Sequence, residues 1–319
     1  MDQDVRVAVV GAGRWGQHLV RNLHDLGVLA AVADPDPAIR ERTRFTYPDV
    51  KLLDDAASAA SSDVEAVVIA TPASTHAPLC IQALEAGKHV YVEKPFTLTV
   101  ADAERVVEVA ERAGMTLMVG HLLLYQPAVG FLRDYLASGA IGRVAFLHQD
   151  RLNLGVVRSA ENALWSLGVH DVAAMLHIVG DVPTAVDAWG QRVLQPHVED
   201  DVHLHMRFPG DTEGHLHASW LWPERRRRLT IVGTEAMVVY DEEGHEVVVC
   251  RRRAGDDLGV VDDGSEVLFT GDPAPLRHEL IHFLNRVVDG AEPLSSGRAA
   301  IPVIRVLEES ARQLARFGG

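Results

Sequence analysis

A glycine-rich segment near the start of the chain has the residue types and the spacing that bind a diphosphate. Residues Gly11–Gly16 read GAGRWG, between an apolar run and an amphipathic one. The first glycine permits a tight turn, the second lets the backbone approach a pyrophosphate, and the third allows a helix to pack closely on a strand. Amides at the helix start would bind the anion. The alternative is a glycine-rich turn without a ligand. The residues expected to contact a dinucleotide here are Gly11, Gly13, Arg14, Trp15 and Gly16.

An aspartate about twenty residues further on has the position that selects between two dinucleotides. Asp34 ends the second predicted strand, where a carboxylate binds the hydroxyls of the adenosine ribose. It would repel a 2′-phosphate, so it favours NAD over NADP. Arg40, Arg42 and Arg44 would weaken that preference, which leaves NADP open. The alternative role for Asp34 is that of an ordinary turn residue, because Pro35–Pro37 follows it.

Two further polar segments follow predicted strands. Thr71, Pro72 and His76 come after the fourth strand, and Glu93-Lys94-Pro95 follows the fifth. The carboxyl ends of parallel strands share one edge, where open α/β sheets bind ligands. The residues of these segments that we expect to contact the cofactor are Thr71, Pro72, His76, Glu93 and Lys94. The proline biases the backbone of the preceding lysine to an extended conformation, which would direct its side chain into the cleft.

The elements that must position these residues have a regular pattern in the first third of the chain. Continuously apolar strands alternate with amphipathic helices such as Gln17–Leu26, which is typical of a parallel sheet covered on both faces. The pattern predicts a doubly wound α/β Rossmann domain over residues 1–121. The predicted strands are Val5–Val10, Val28–Ala33, Val50–Leu53, Ala66–Ala70, His89–Val92 and Thr116–Val119.

The pattern changes after about Gly120. Consecutive strands without helices between them imply an antiparallel sheet. We therefore expect an α+β domain with an open, mainly antiparallel sheet over residues 122–319, and a mobile hairpin tip at 256–265. The expected strands are Val144–Gln149, Val186–Val193, Val202–Phe208, His215–Trp220, Leu229–Val232, Met237–Tyr240 and Glu246–Cys250. The expected helices are Pro127–Leu136, His170–Val179, Leu276–Val288 and Ala299–Phe317.

Composition narrows the function classes. The 45 acidic and 30 basic residues give a net charge of −15, which disfavours a nucleic-acid partner. The acidic start Met1–Asp4 does not resemble a secretory signal, and no apolar run is long enough to span a bilayer. Two cysteines cannot build a disulfide framework, so a reducing cytoplasm is expected. Only three of the basic residues are lysines: Lys51, Lys88 and Lys94.

Four features together resemble the glucose–fructose oxidoreductase/inositol dehydrogenase/MocA family. They are Gly11–Gly16, the segment Thr71–His76, the sequence GKHVYVEKP at Gly87–Pro95, and a later helix containing His170. The resemblance implies a Rossmann domain followed by an α/β domain with an open sheet that often mediates dimers or tetramers. It also implies hydride transfer between a nicotinamide cofactor and a hydroxyl carbon of a pyranose or cyclitol.

The resemblance assigns roles to single residues. Lys94 corresponds to the active-site lysine, Glu93 lies near the nicotinamide ribose, and the Lys94–Pro95 bond is of the kind found in the cis form. The family pairs an aspartate with a histidine four residues later as acid and base. In this chain the histidine, His170, is present, but Ser166 stands where the aspartate would be, and Asp171 is the residue that would compensate.

Helical periodicity gives separate support for His170. Val172, Met175, Leu176 and Val179 form an apolar stripe on a helix, whereas His170, Ala173, Ala174 and His177 fall on the opposite side. The two alanines leave room for a ligand or for a neighbouring backbone. His170, as a side chain that titrates near neutral pH, would take the proton of the substrate hydroxyl. The Lys94 ammonium would stabilise the alkoxide that forms.

Substrate contacts are expected after the first domain. Arg151 and Asn153 would lie on one face of a strand end and bind sugar hydroxyls or phosphate. The alternative for Arg151 is a salt bridge at a domain interface. The residues predicted to contact the substrate are Tyr125, Arg151, Asn153, Trp165, Ser166 and Asp171.

Two clusters of basic residues in the second half of the chain are explained without a functional site. The run Arg225–Arg228 must point to both faces of a strand, so a solvated or subunit-interface edge is favoured over a diphosphate subsite. The pairs His203/His205 and His215/His217 would each lie on one sheet face. Zinc is conceivable there, but no cysteine or carboxylate pattern accompanies the pairs, so we expect packing and no metal site.

The sequence thus predicts an NAD(P)-dependent oxidoreductase that acts on a pyranose, including one in a nucleotide sugar, or on a cyclitol. Lys94 and His170 would be its catalytic groups, and a homodimer or homotetramer would form through the C-terminal sheet. Two alternatives remain. One is a cofactor-binding regulator without turnover, and the other is a dehydrogenase of a non-sugar cyclic diol.

Overall fold

The structure is a computed structural model that describes residues 5–255, 257–271 and 274–317. The chain divides into two compact units. The first comprises the described residues up to Leu122 together with Leu276–Ile304, and the second comprises Leu123–Pro275 with the residues from Arg305 onwards. The acidic start Met1–Asp4 lies outside the described residues.

The first unit contains the predicted doubly wound sheet. Its six strands pair in parallel in the order β3-β2-β1-β4-β5-β6. The strands β1 and β4 are buried throughout, as their uninterrupted apolar sequences require. The strands are β1 Val7–Val10, β2 Leu29–Ala33, β3 Lys51–Leu53, β4 Ala66–Ile69, β5 His89–Glu93 and β6 Leu117–Gly120.

Five helices connect these strands, and local capping explains where several of them begin. The Asp36 and Asp55 side chains accept hydrogen bonds from amides of the first turns of α2 and α3. Thr99 caps α5, which ends at Gly114 in the left-handed region. The helices are α1 Gly16–Asp25, α2 Pro37–Thr46, α3 Ala56–Ala60, α4 His76–Glu85 and α5 Val100–Ala113.

The second unit contains an open eight-stranded sheet of order β14-β13-β12-β11-β7-β10-β9-β8. Among the strand pairs that the structure describes in this sheet, only β7–β10 is parallel, which confirms the prediction of a mainly antiparallel sheet. The strands are β7 Val144–Leu152, β8 Ala185–Gln191, β9 Asp201–Arg207, β10 Glu213–Ser219, β11 Arg226–Gly233, β12 Met237–Asp241, β13 Glu246–Ala254 and β14 Val260–Thr270.

Two helices of the second unit are α6 Pro127–Ala137 and α7 Val169–Val179, and a π-helical turn, Leu164–Gly168, directly precedes α7. The sequence predicted an apolar stripe on only one side of α7. The structure instead buries Ala173 and Ala174 as well, so α7 is packed on nearly all sides. The small alanine side chains therefore serve close packing.

One predicted loop is partly a strand. The segment 256–265 was expected to be a hairpin tip, and its described residues before Val260 do lie in the turn between β13 and β14. The rest of the segment belongs to β14, which begins at Val260 and pairs with β13. Ion pairs join the two strands, including Arg251 with Glu266 and Arg252 with Asp262. The polar composition that suggested a loop therefore reflects cross-strand pairing. Asp256 lies outside the described residues.

The last two helices are α8 Pro275–Asp289 and α9 Gly297–Phe317. The predicted domains 1–121 and 122–319 are consecutive, whereas residues 276–304 pack with the first unit. Their apolar side chains supply the reason, because Leu280 and Phe283 are fully buried there. Val119 of β6 also donates its amide to the carbonyl oxygen of Ser295, at 2.8 Å.

Within the part of the chain that the structure describes, no helix combines the length and the apolar character needed to cross a bilayer.

Candidate functional site

The glycine-rich turn has the geometry of a phosphate-binding loop. Gly11 follows β1 with φ of +89°, and a Cβ there would lie 2.8 Å from the carbonyl oxygen of Ala70. A Cβ on Gly16 would lie 2.0 Å from the carbonyl oxygen of Gly11. No atom lies within 4 Å of a Cβ position on Gly13, so the backbone there is open to a ligand. Arg14 and Trp15 are exposed beside it.

Asp34 ties the second strand to this turn. Its Oδ2 accepts a hydrogen bond from the amide of Ala12 at 2.8 Å, and its Oδ1 accepts one from the amide of Asp36 at 2.9 Å. Each carboxylate oxygen keeps a further lone pair for a ribose hydroxyl. Arg40 donates to the carbonyl oxygens of Asp34 and Pro35, so this guanidinium is held against the main chain.

The segment after β4 is fixed by His76. The Nε2 of this ring lies 2.9 Å from the carbonyl oxygen of Thr71, and its Nδ1 lies 2.8 Å from that of Pro95. Burial lowers the pKa of His76, while its contacts with the two carbonyl oxygens oppose this lowering. A neutral ring donates to one of the two oxygens and a protonated ring donates to both, but the ring lies between them in either state. The imidazole therefore joins the loops after β4 and β5, with Pro72 exposed between them. The direct cofactor contacts expected of Thr71, Pro72 and His76 stay predictions.

Glu93 connects the loop after β5 to the glycine-rich turn. It is 7% exposed, and its carboxylate accepts hydrogen bonds from the Trp15 indole and from the amide of Lys94. Burial raises the pKa of Glu93, while the Trp15 bond and the Lys94 charge oppose this rise. The Lys94–Pro95 peptide bond is cis, as the resemblance implied. Thus Trp15, Glu93 and Lys94 form one connected group at the carboxyl edge of the sheet.

A buried pair of acids, Glu93 and Glu279, extends this group, and no sequence pattern indicated it. The Tyr91 hydroxyl lies 3.2 Å from Glu93 Oε1 and 3.0 Å from Oε2 of Glu279 on α8. Burial and the neighbouring Glu93 raise the pKa of Glu279 well above its usual value. A Cβ on Gly120 would lie 2.6 Å from the Tyr91 hydroxyl, so only glycine fits at that position.

His121 is a second residue that sequence reasoning missed. It follows β6, the neighbour of β5, and is 2% exposed. Neither of its ring nitrogens has a hydrogen-bond partner among the described residues. Burial, and then the charge of Lys94, lower the pKa of His121 to about 4. A neutral imidazole therefore stands in the electrostatic field of the Lys94 ammonium.

In the second unit, the π-helical turn positions His170. Ser166 lies within the turn and His170 is the second residue of α7, where it is partly exposed. Asn162 holds the turn, because its Oδ1 accepts a hydrogen bond from the amide of Trp165 at 3.1 Å. Its Nδ2 donates to Glu199. Such π-helical insertions are frequent at functional sites.

Arg151 lies in a buried ion network. Its guanidinium bonds both carboxylate oxygens of Asp171, with Nη2 2.6 Å from Oδ1, and it also bonds Glu242 at 2.8 Å. Arg151 and Asp171 are 4% and 1% exposed. The alternative of a salt bridge is therefore observed, inside the second unit. Both oxygens of Asp171 bond Arg151, and the compensating role expected of Asp171 beside His170 stays a prediction.

The remaining candidates have varied surroundings. Tyr125 is 9% exposed in a short 3₁₀ turn, and Trp165 is partly exposed. The buried carboxamide oxygen of Asn153 has no hydrogen-bond partner among the described residues, so it is able to accept one from a ligand. The arginine run at 225–228 alternates between faces as expected, because Arg226 bonds Asp150 and Arg227 bonds Glu242.

Comparison with protein families gives the wider context of this geometry. Residues 5–121 match the model for an oxidoreductase family with an NAD-binding Rossmann fold. Residues 130–239 match the model for the GFO/IDH/MocA C-terminal domain. The chain belongs to the Gfo/Idh/MocA oxidoreductase family. It is accordingly an NAD(P)-dependent oxidoreductase of the type that acts on CH–OH groups.

Relatives of this Gfo/Idh/MocA protein cover most of its length. The scyllo-inositol 2-dehydrogenase (NAD(+)) of Bacillus subtilis is 25% identical, over 92% of this chain and 89% of that protein. The UDP-N-acetylglucosamine 3-dehydrogenase of Acidithiobacillus ferrooxidans is 27% identical, over 89% and 88%. Its solved structure superimposes with a TM-score of 0.88 over 98% of both chains, at 24% identity. A solved structure from Magnetospirillum magnetotacticum MS-1 is 32% identical, with a TM-score of 0.83 over 95% of this chain and 98% of that one.

The observed turn fits the dinucleotide of a Gfo/Idh/MocA member. Gly13 leaves space for a pyrophosphate, the first amides of α1 lie beside it, and Asp34 has acceptor capacity to spare. Gly11, Gly13, Gly16 and Asp34 would hold the adenosine diphosphate half of NAD. The group formed by Trp15, Glu93 and Lys94 lies at the same edge, where the nicotinamide half would be held.

Proposed function

We propose that this protein transfers a hydride between NAD and a secondary hydroxyl or keto carbon of a pyranose or a cyclitol, with the sugar of a nucleotide sugar included. One observation carries the proposal. The single lysine at the carboxyl edge of β5, Lys94, is linked through Glu93 and Trp15 to the dinucleotide turn. A cationic donor beside a nicotinamide suits an alcohol or ketone substrate.

Each catalytic group has one task in this proposal. Bound NAD supplies the hydride acceptor or donor. The Lys94 ammonium stabilises negative charge on the substrate oxygen, and His170 takes or returns the hydroxyl proton. Glu93 fixes the backbone amide of Lys94 and adds negative charge beside the ammonium. Ser166 stands where other members carry the aspartate that assists the histidine, and Asp171 is the residue that would compensate.

Cofactor choice, compartment and assembly form part of the same proposal. The buried Asp34 carboxylate favours NAD over NADP, because a 2′-phosphate would meet a negative charge. Two free cysteines support a reducing cytoplasm. The open sheet of the second unit supports a homodimer or homotetramer.

The test replaces Lys94, one of three lysines in the chain, with arginine. Lys94→Arg keeps the positive charge but replaces a compact ammonium with a planar guanidinium that cannot occupy the same space. We expect kcat with NAD and a sugar or cyclitol substrate to fall at least about a hundredfold, as happens when a charge-stabilising donor is lost. Lys51→Arg is the matched control, because Lys51 is exposed on β3. Full turnover in Lys94→Arg would disprove the proposed mechanism.

Two alternatives give different results in a screen of NADH formation across sugars, nucleotide sugars, cyclitols and non-sugar cyclic diols. A regulator without turnover would bind NADH yet reduce no NAD with any substrate, and it would co-purify with a protein partner. A dehydrogenase of a non-sugar cyclic diol would be silent with sugars but active with cyclic diols. Ser166 and the three leucines Leu122–Leu124, which follow β6, keep this second alternative open.

A further inference from the structure

Five histidines lie on adjacent strands of the second unit, outside the residues used above. Strands β9 and β10 both read acid-x-His-x-His, so the expectation that no carboxylate accompanies the histidine pairs was wrong. In β9 these residues are Asp201, His203 and His205, and in β10 they are Glu213, His215 and His217. Alternate residues share one face of a strand, so all six side chains lie on the same side of the sheet. His148 of the neighbouring strand β7 is the fifth histidine.

Antiparallel pairing turns this repeat into two equivalent clusters. The register places His217 opposite His203 and His215 opposite His205. The acid and first histidine of each strand therefore meet the last histidine of the other. The first cluster comprises Asp201, His203 and His217, and the second comprises Glu213, His215 and His205. In both, one candidate ligand atom from each residue lies within 4.8 Å of the other two.

The first cluster has nearly the spacing of a coordination sphere. His217 Nε2 lies 2.7 Å from Asp201 Oδ1, and His203 Nε2 lies 3.5 Å from Oδ2. Ligands about 2.1 Å from a tetrahedral zinc ion are about 3.4 Å apart. Aromatic rings hold the imidazoles in place, since Trp189 stacks on His203 at 5.6 Å and Trp222 contacts His217 edge-on at 5.3 Å. Small side-chain adjustments would complete this arrangement.

The second cluster is looser and more exposed. His205 Nε2 and His215 Nε2 lie 3.4 Å and 3.9 Å from Glu213 Oε2. The two rings stack with centroids 4.9 Å apart. His205 Nε2 is buried and makes no hydrogen bond with the described residues, so a nitrogen lone pair is available to a ligand. Glu213 is 42% exposed, so this cluster would bind an ion more weakly than the first.

The donor set determines the class of ion. Two imidazoles and one carboxylate suit zinc and neighbouring divalent transition metals, whereas magnesium and calcium prefer oxygen ligands. We propose that this face of the sheet binds divalent transition-metal ions, represented by zinc, at two sites of two histidines and one carboxylate each. Each site leaves a coordination position for water or for a group on another molecule.

The experiment measures uptake of zinc alone by the full chain, made without a polyhistidine tag and treated with a chelator. Calorimetric titration should give two zinc ions per chain, the number of clusters. His203→Gln/His217→Gln should remove the first site and His205→Gln/His215→Gln the second, one equivalent each. Cobalt should give the visible absorption of a four-coordinate ion in the wild type, reduced in each double variant.

Two controls separate a built site from adventitious binding and from misfolding. The control variant His24→Gln/His278→Gln removes two histidines that lie outside both clusters. His24 lies 3.9 Å from Asp25, so the control also removes a histidine beside a carboxylate. It should still bind two zinc ions per chain. Asp201→Asn keeps a hydrogen-bonding amide beside His217 but should weaken the first site at least tenfold. Equal zinc uptake by the wild type and both double variants would overturn the proposal. The proposal would also be overturned if the protein sediments as a dimer and takes up no zinc, because the dimer would then bury this face.

Discussion

The Tyr91 hydroxyl carries one proton but faces two carboxyl groups, those of Glu93 and Glu279. It donates to only one of them at a time, so the remaining contact needs a proton from a carboxyl group. Glu93 has the Trp15 indole and the Lys94 amide as further donors, whereas Glu279 Oε1 has no hydrogen-bond partner among the described residues. We therefore assign the proton to Glu279, whose carboxyl group then donates to the Tyr91 oxygen. Tyr91 donates in turn to Glu93, so Glu279 positions both side chains.

Glu279→Gln tests this assignment through the pH dependence of stability. The pKa of Glu279 is raised in the folded protein, so the folded state retains a proton that the unfolded chain loses above about pH 4.5. Stability from this group is present below the unfolded pKa and falls as pH rises, by up to about 1.4 kcal/mol per pH unit. Glutamine does not titrate. We expect the free energy of unfolding of Glu279→Gln to fall less between pH 5 and pH 8 than that of the wild type.

The measurement is denaturant unfolding at several pH values, with Glu85→Gln as the control. Glu85 is exposed on α4, so its replacement should leave the pH profile unchanged. Parallel profiles for Glu279→Gln and the wild type would mean that Glu279 is ionised in the folded protein.

At the scale of elements, the Arg151 network joins three parts of the second unit. Arg151 is on β7, Asp171 is on α7, and Glu242 follows β12. All three side chains are at most 10% exposed, so the ions are largely removed from water. Removing one member of such a group leaves buried charge without compensation.

Arg151→Met should destabilise the second unit by about 3–5 kcal/mol, the cost of breaking a buried ion pair. Arg251→Met is the matched control. It breaks a pair with Glu266 at 3.0 Å on the exposed β13–β14 hairpin, which should cost less than about 1 kcal/mol. Urea unfolding of the three proteins measures both differences. An equal loss in the two variants would show that burial of Arg151 does not matter.

Local sequence predicts the elements better than it predicts this network. Apolar runs predicted the strands of both sheets except β14, and the motif Gly11–Gly16 predicted the dinucleotide turn, because both depend on neighbouring residues. The Tyr91–Glu279 contact joins residues 188 positions apart, and its acid lies in an ordinary amphipathic helix. The charges of β14 resembled a loop until their partners on β13 were known. Contacts between side chains that depend on the fold in this way leave no periodic pattern of residue types in the sequence.

At the scale of the whole molecule, the first unit is discontinuous in sequence. Its sheet ends at β6, and the segment 276–304 packs with it through Leu280, Phe283 and Ser295. The Ser295 hydroxyl donates to the carbonyl oxygen of Val119 on β6 at 2.7 Å. Residues 1–121 therefore contain the dinucleotide turn but lack part of the core that supports it.

A fragment of residues 1–122 should accordingly be unstable. Losing the buried Leu280 and Phe283 alone removes about 3–6 kcal/mol, a large share of the 5–15 kcal/mol that stabilises a typical domain. We expect the fragment to unfold without a cooperative transition and to bind NADH weakly. Joining residues 276–304 through a glycine–serine linker should restore a cooperative melt and NADH binding, monitored by circular dichroism and nicotinamide fluorescence. The same joined chain with Leu280→Asp and Phe283→Asp is the control and should behave like the bare fragment. If the bare fragment melts cooperatively at the temperature of the joined chain, the C-terminal segment is dispensable for the Rossmann domain.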